Sequence, residues 1–451
     1  MSGQTDLHAE SPTNVRWLMF GLACGTSWFL YVHRYAWQFV GPLIQETYQL
    51  DHTRSLFVFS LFYWTYAAGQ IPSGVVIDRF GPHRFLGVSI LLWSIALVGF
   101  GLTHSLLMIG ALRLLFGAAQ AGCYPGLTKA TRVWFPLNSR TTIQGWIATT
   151  FGRGGGAMSP IILGTLLIGW CGMSWQSALA VMGLAGVVFG VVFLCLFRNS
   201  PADHPQVNDA ERVLISEGGT SQSVSGILPW KRAVRSRSLF YFIIQQFLDA
   251  GSDVVYLSLI GKYFLDRHGL KIEFGGWLAS LPLWGGALGG IAGGWLNEYL
   301  IRTSGHRRWS RSGIGFAGKL IGCGMLYLVI QQSGPVGAGI SLMLAKFFSD
   351  WSQPTTWGTC TDLGGRCSAT VFSIINTAGT IGGIVMPIVF GVLLDWNTTR
   401  QLVEGKMVSH TEWGPLFVLL AAMYLACGIF WLLIDCTKSL DEFPSSSERR
   451  E

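Results

Sequence analysis

Apolar and polar positions alternate along this chain in long blocks, with no sign of the two-residue rhythm of exposed strands. Apolar stretches lie at about 17–45, 54–76, 85–103, 107–130, 141–168 and 175–197. After a polar segment they resume at about 239–264, 274–300, 313–331, 336–359, 369–395 and 411–435. Each is long enough, at ~1.5 Å per helical residue, to cross or nearly cross a ~30 Å hydrocarbon layer. The pattern predicts an all-α membrane protein of twelve transmembrane helices in two six-helix halves. Its parts are an N-terminal segment 1–16, a first bundle 17–197, a central loop 198–238, a second bundle 239–435 and a tail 436–451.

Composition agrees. Half of the 451 residues are hydrophobic and 12% are charged, against ~25% charged in an average soluble domain. The net charge of +7 would suggest nucleic acid in a soluble protein, but here its placement decides. With the N-terminus inside, the inner segments carry about 20 Lys and Arg and the outer ones only Arg54, Arg267, Lys271, Arg400 and Lys406. The positive-inside rule then places both termini in the cytoplasm and the protein in the cell membrane. Residues 1–16 lack the basic start, short apolar core and cleavage site of a signal peptide, so the first span is expected to stay. The nine cysteines contain no C-x-x-C pair and point to neither a disulfide framework nor a metal site.

Six basic residues remain inside the spans: Arg34, Arg113, Arg153, Lys262, Lys319 and Lys346. An Arg at mid-span costs at least ~2.5–3.5 kcal/mol unless it meets water or a partner. Arg34 therefore either faces an aqueous cavity or pins two helices. No acid is evident in the first-half spans away from the inner loop, so Arg34, Arg113 and Arg153 lack compensation. A substrate carboxylate or phosphate suits the bidentate guanidinium fork. Tyr31, three residues before Arg34, can share its helix face. The second half holds Asp249, Asp253 and Asp350, with Lys262 and Lys346 nearby in sequence. These acids read either as structural Asp–Lys pairs or as proton-coupling groups. Gly152-Arg153-Gly154-Gly155-Gly156 has no Gly-Lys-Ser/Thr after it and is no phosphate loop.

The halves repeat each other. Gly74, Asp78, Arg79, Gly81 and Arg84 between spans two and three return about 220 residues later as Gly294, Asn297, Glu298, Arg302, Gly305 and Arg307. The same offset carries His33 to the neighbourhood of Asp253. The first copy resembles the G-x-x-x-D-R-x-G-x-[KR]-[KR] signature of the major facilitator superfamily, and implies a conformational latch at the cytoplasmic gap. Other stretches resemble its anion:cation symporter family. These are Tyr31-Val32-His33-Arg34; Trp64, Tyr66, Gly69, Gln70 and Pro72; Arg113, Gly117, Gln120, Pro125 and Trp134-Phe135-Pro136; and Asn376, Gly379, Gly382-Gly383 and Pro387.

That resemblance implies secondary transport of a small organic anion, such as a sugar acid or other monocarboxylate, by alternating access and commonly coupled to protons, with sodium as the other candidate ion. It implies substrate contacts from Tyr31, Arg34, Tyr66, Gln120 and Asn376, to which the uncompensated charges of Arg113 and Arg153 add two candidates. Two positions depart from it: the acid before the first-span Arg is His33, and the fourth-span Glu is Gln120. Gln cannot titrate, so coupling candidates are His33, Asp253 and Asp350. An organic-anion or phosphate-ester exchanger without coupling is the alternative, and a membrane nutrient sensor is the rival outside transport. Catalytic triads, metal clusters and nucleotide loops are not evident in the sequence. A monomer is expected, with lipid and the anion as partners and no cofactor or nucleic acid.

Overall fold

The computed structural model describes residues 11–136, 139, 143–216, 230–403 and 406–440; the side chains of Asp78, Arg366, Ala369 and residues 400–408 fall outside that description. Twelve long helical segments stand where twelve spans are expected. The first six are α1 (Val15–Thr47), α2 (His52–Phe80), α3 (Pro82–Leu102), α4 (Leu106–Trp134), α5 (Ile143–Trp170) and α6 (Trp175–Leu196). The second six are α7 (237–268), α8 (Ile272–Ser304), α9 (Arg307–Gln331), α10 (335–364), α11 (Ser368–Trp396) and α12 (Gly414–Leu433).

Eight of these are long and apolar enough to cross a membrane by length and composition alone. The other four are α2, α7, α8 and α10, and each holds polar groups within its length. Asp249 and Asp253 lie on α7, Lys346 and Asp350 on α10, Gln70 and Arg79 on α2, and Asn297, Glu298 and Arg302 on α8. Helices that line a polar interior forfeit the uniform hydropathy of lipid-facing ones.

Two symmetric features follow from the sequence. In the first helix of each three-helix unit, regular winding lapses near the middle. In α1 the lapse is at Ala36, in α4 at Ala121-Gly122, in α7 at Leu259 and in α10 at Asp350-Trp351. Proline accounts for two of these: Pro125 and Pro354 lie four residues after Ala121 and Asp350, where the ring clashes with the carbonyl and removes its donor. The second helix of each unit carries an internal proline, at Pro72, Pro160, Pro282 and Pro387. In α5 the backbone is π-helical on both sides of Pro160, over Trp146–Arg153 and Ile161–Trp170.

Within the halves α3 packs on α6 and α9 on α12, while the halves meet along α2 with α11 and α5 with α8. At the end away from the termini, residues Thr398–Val403 and Lys406–Thr411 form an antiparallel hairpin pairing Thr398 with Thr411. There Asp395 of α11 accepts from the backbone N–H of His52 and Thr53 at 2.8 Å each, capping α2 from the other half. Nearby, Thr165 Oγ1 donates to the Glu273 carbonyl at 2.7 Å. The halves are thus joined by hydrogen bonds at the hairpin end.

At the opposite end, Glu211 of the short helix Asp209–Ser216 is buried and accepts from the N–H groups of Val15 (3.3 Å) and Arg16 (3.1 Å). It caps α1 and ties the central segment to the first half. Both repeated turns place a glycine at positive φ, +78° at Gly81 and +68° at Gly305, with ψ of 165° and −5°. A side chain at either would be strained, which explains the glycine in both copies. Asp78 is placed on α2 by its backbone only, and its expected latch contact lies outside the described residues. Arg79 lies over Phe80, with 5.4 Å to the ring centroid, and Arg84 is exposed. In the second copy Glu298 pairs with Arg302 of its own helix.

Candidate functional site

Arg34, Gln120 and Asp350 lie at or beside the helix lapses, with Asp253 and Lys346 within two turns of them. Arg34 lies two residues before the lapse at Ala36, and its guanidinium sits among aromatic faces. The centroids of Tyr31, Phe62 and Tyr66 are 5.3, 4.9 and 5.1 Å from its central carbon. Arg34 Nε donates to Gln120 Oε1 at 3.0 Å, and Gln120 Nε2 donates in turn to the Leu30 carbonyl at 3.3 Å. Gln120 thereby orients the fork as a neutral acceptor. Arg34 has no carboxylate within ion-pair distance among the described residues, and its Nη2 has no protein partner. Ring faces soften the cost of the charge by ~0.5–2 kcal/mol each without neutralising it.

His33 and Arg113 belong to a different space. Successive residues on a helix point ~100° apart, so His33 turns toward α6 while Arg34 turns toward Gln120 and the rings of Phe62 and Tyr66. Its Nε2 lies 3.1 Å from the Met182 carbonyl of α6, and its Nδ1 has no partner. Arg113 is buried, donates from Nη2 to the Phe59 carbonyl at 3.2 Å and lies 4.2 Å from the Trp37 centroid. With His33, Trp37 and Phe116 it lines a closed void of about 10 Å³, and Phe62 separates it from Arg34. The structure therefore brings Tyr31, Arg34, Tyr66 and Gln120 together, with Arg113 and His33 behind the aromatic layer.

Across the cavity the acids and bases form a chain. Arg153 Nη1 on α5 donates to Asp350 Oδ2 at 2.7 Å and to the Gly286 carbonyl at 2.8 Å, spanning the two halves. Lys346 Nζ donates to the second oxygen of Asp350 and to Asp253, at 2.6 Å each. A separate, fully buried pair joins Lys319 to Asp249, with Ser349 Oγ 2.6 Å from the ammonium. Lys262 pairs instead with Asp266 at 3.2 Å, so it contributes nothing to the Asp249–Asp253 region to which sequence proximity assigned it. Asn376 Nδ2 donates to Gln70 Oε1 at 3.1 Å, closing α11 on α2.

Sequence reasoning grouped Lys346 with these acids as possible Asp–Lys pairs, but gave Lys319 and Gln70 no partner. The four-residue spacing of Lys346 and Asp350 was a usable signal, whereas the Lys319–Asp249 contact joins two helices and has no local signature. Tyr31 is shared ground: its ring stacks on Tyr35 at 5.9 Å, and Gly152 approaches it so closely that an added Cβ would sit 3.2 Å from Tyr31 Cε2. The stretch before Arg153 thus abuts the ring that also borders Arg34. The arrangement offers a free guanidinium on one side and a carboxylate-guarded one on the other. No cluster of three or more metal-ligating side chains occurs among the described residues.

Comparison with known proteins gives a consistent family. The family model of the Major Facilitator Superfamily matches residues 20–387. The "Probable sulfoacetate transporter" of Cupriavidus necator is 29% identical over 408 residues, covering 89% of this chain and 94% of that protein. The "Probable galactarate/D-glucarate transporter" of Bacillus subtilis is 28% identical over 407 residues, covering 86% and 87%. The "D-galactonate transporter" of Escherichia coli O6:H1 is 25% identical over 405 residues, covering 86% and 91%. Among solved structures, a bacterial homolog of the human lysosomal transporter Spinster, inward-facing and unoccupied, aligns with a TM-score of 0.69 at 17% identity. That alignment covers 94% of this chain and 96% of the other, and shows the shared fold.

Proposed function

The chain belongs to the Major Facilitator Superfamily, and on that premise we propose that it carries a small organic anion across the cell membrane by alternating access, with Arg34 receiving an acid group of the substrate. It is a transporter and not an enzyme. The relatives are named for sulfoacetate, galactarate or D-glucarate, and D-galactonate, all organic acids. One observation carries the residue-level reading. Arg34 has no carboxylate partner among the described residues, is framed by three aromatic rings and has its buried Nη2 without a hydrogen-bond partner. A planar acid group would satisfy the fork bidentately. Tyr31, Tyr66, Gln120 and Asn376 supply the hydroxyl and amide groups that polar substituents need.

The basic residues concentrated at the terminus-bearing end support a cytoplasmic location for both termini. With that orientation, the bonds from Asp395 and Thr165 seal the external face, and access is from the cytoplasm. Rocking about the α2–α11 and α5–α8 contacts would exchange that seal for one built from the Gly74–Arg84 loop and its repeat.

Two readings of energetics remain, each with its own observation. Asp253, partly exposed and held by Lys346, favours coupling to a proton. Gln120, which cannot titrate, and His33, turned away from the cavity, favour exchange or facilitated passage. Uptake of radiolabelled sugar acids and sulfoacetate into proteoliposomes tests the proposal. Saturable flux is expected; none for any organic acid would refute it. Accumulation driven by an imposed proton or sodium gradient marks symport, and counterflow without accumulation marks exchange.

A further inference from the structure

We propose that Arg153 is a second acid-group subsite guarded by Asp350, so that the carrier selects anions bearing an acid group at each end. The inference rests on the reading of Arg34 as the first subsite.

Four observations support it. The first is accessibility along the ion chain. The side chains of Arg153 and Asp253 are 26% and 29% exposed, whereas Asp350 and Lys346 are 3% and 8% exposed. An anion entering the cavity meets Arg153 before it meets the carboxylate that holds it. The second is that Asp350 has another cation ready: Lys346 is already 2.6 Å from its second oxygen. Asp350 can give up Arg153 without becoming an unpaired buried charge, the step that would otherwise cost most.

The third is the space around the pair. Arg153 Nη1 rests against Gly286, and a Cβ at Gly286 would lie 2.6 Å from Asp350 Oδ2. Glycine at this position of α8 is what admits the bridge. The fourth is the relation to Arg34. Tyr31 borders the Arg34 guanidinium, and Gly152, the residue before Arg153, packs against the same ring. Both proposed subsites therefore adjoin Tyr31, and a short carbon chain with an acid at both ends is the ligand proposed to join them.

Because the Arg153–Asp350 pair joins the first half to the second, its replacement by substrate also changes the contact between them. A single acid group fills Arg34 and leaves the bridge closed. A second one competes with Asp350 for Arg153, converting an internal contact into one made through the substrate. Selectivity for two-acid anions and loosening of the bridge are then the same event.

The test uses calorimetric binding to the purified full chain in detergent, with matched probes: galactarate against galactonate, and sulfoacetate against acetate. Wild-type protein is expected to favour the two-acid member roughly 30- to 100-fold, the worth of a charge-assisted pair. Arg153→Gln should erase that preference by weakening the two-acid member far more than the one-acid member. Asp350→Asn should tighten two-acid binding, a direction that misfolding cannot mimic. Equal wild-type affinity for both members, with binding abolished by Arg34→Gln, would overturn the second subsite and leave the carrier reading intact. So would Arg153→Gln weakening both members equally. Wild-type protein that binds none of the four would overturn both readings.

Discussion

Replacing Arg34 by Lys separates the charge of this residue from its geometry. The guanidinium has one donor committed to Gln120 at 3.0 Å and another without a protein partner. Two parallel N–H bonds to an acid group are available to Arg and not to the single ammonium of Lys. The ammonium keeps the formal charge and the attraction of the Tyr31, Phe62 and Tyr66 faces. The difference is therefore about one charge-assisted hydrogen bond, ~1.5–3 kcal/mol, or roughly 10- to 150-fold in Kd. Gln120 Oε1 loses its donor as well, but in both the free and the bound carrier. That loss lowers the melting temperature and largely cancels in affinity.

The assay is binding of an organic acid established as a substrate of the wild type, paired with initial uptake rates in proteoliposomes at matched protein density. A weakening of at least tenfold with normal reconstitution is expected. A Lys variant binding within threefold of wild type would refute the bidentate clamp and leave Arg34 as a point charge or a helix pin. Gln120→Met discriminates further, since it removes the orienting acceptor without touching the fork. Only a several-fold change is expected from it.

Gln120→Glu places a carboxylate where a neutral acceptor now meets Arg34, so it should compete with substrate and weaken binding by tenfold or more; unchanged affinity at neutral pH would argue against a free Arg34. Asp249→Asn leaves Lys319 charged and buried without its acid, at a cost of ~3–5 kcal/mol, visible as a lower melting temperature. Adding Lys319→Met should restore much of it, and a double variant less stable than the single would contradict simple pairing. Asp253→Asn should retain substrate exchange and lose uphill accumulation under a pH gradient if Asp253 couples the proton. Full proton-driven accumulation in that variant would remove Asp253 from the mechanism.

The fold was legible because lipid demands long apolar windows, and all twelve expected spans correspond to helices. The turn at Gly81 was equally legible, since its repeat at Gly305 adopts the same positive φ. The lapses at Ala121 and Asp350 could have been read from Pro125 and Pro354. The hairpin at Thr398–Thr411 was not foreseen: it is a short β-branched stretch between two spans, a weak signal beside the apolar blocks. Arg34 stood out because an uncompensated charge in a span is costly wherever it points. His33 and Arg34 are adjacent in sequence and face different spaces, so the motif that contains them carried no information on which of them meets the cavity. The Arg153–Asp350 bridge joins residues 197 positions apart, and only the packing of both α5 and α10 against α8 brings them together.

Charge at the depth of the cavity leads to a last prediction. Among the described residues there, Arg34, Arg113, Arg153, Lys319 and Lys346 face Asp249, Asp253 and Asp350, which leaves two positive charges uncompensated. Alternating access requires this interior to pass through an occluded state shielded from water on both sides. Uncompensated charge is most costly there, by several kcal/mol per ion in a low-dielectric interior. A two-acid anion brings the loaded interior to neutrality, whereas the empty carrier must close around both charges. Even ~1.4 kcal/mol more in the empty barrier slows that step tenfold. Return of the empty carrier should therefore limit the cycle, and substrate on the far side should accelerate it by supplying a neutral route back. Efflux of labelled substrate from proteoliposomes is the measurement, with and without unlabelled two-acid substrate outside. Stimulation of at least severalfold is expected, and a one-acid probe should stimulate less. Efflux indifferent to external substrate would mean that the empty form reorients as readily as the loaded one, and that the excess charge is compensated by something other than the anion.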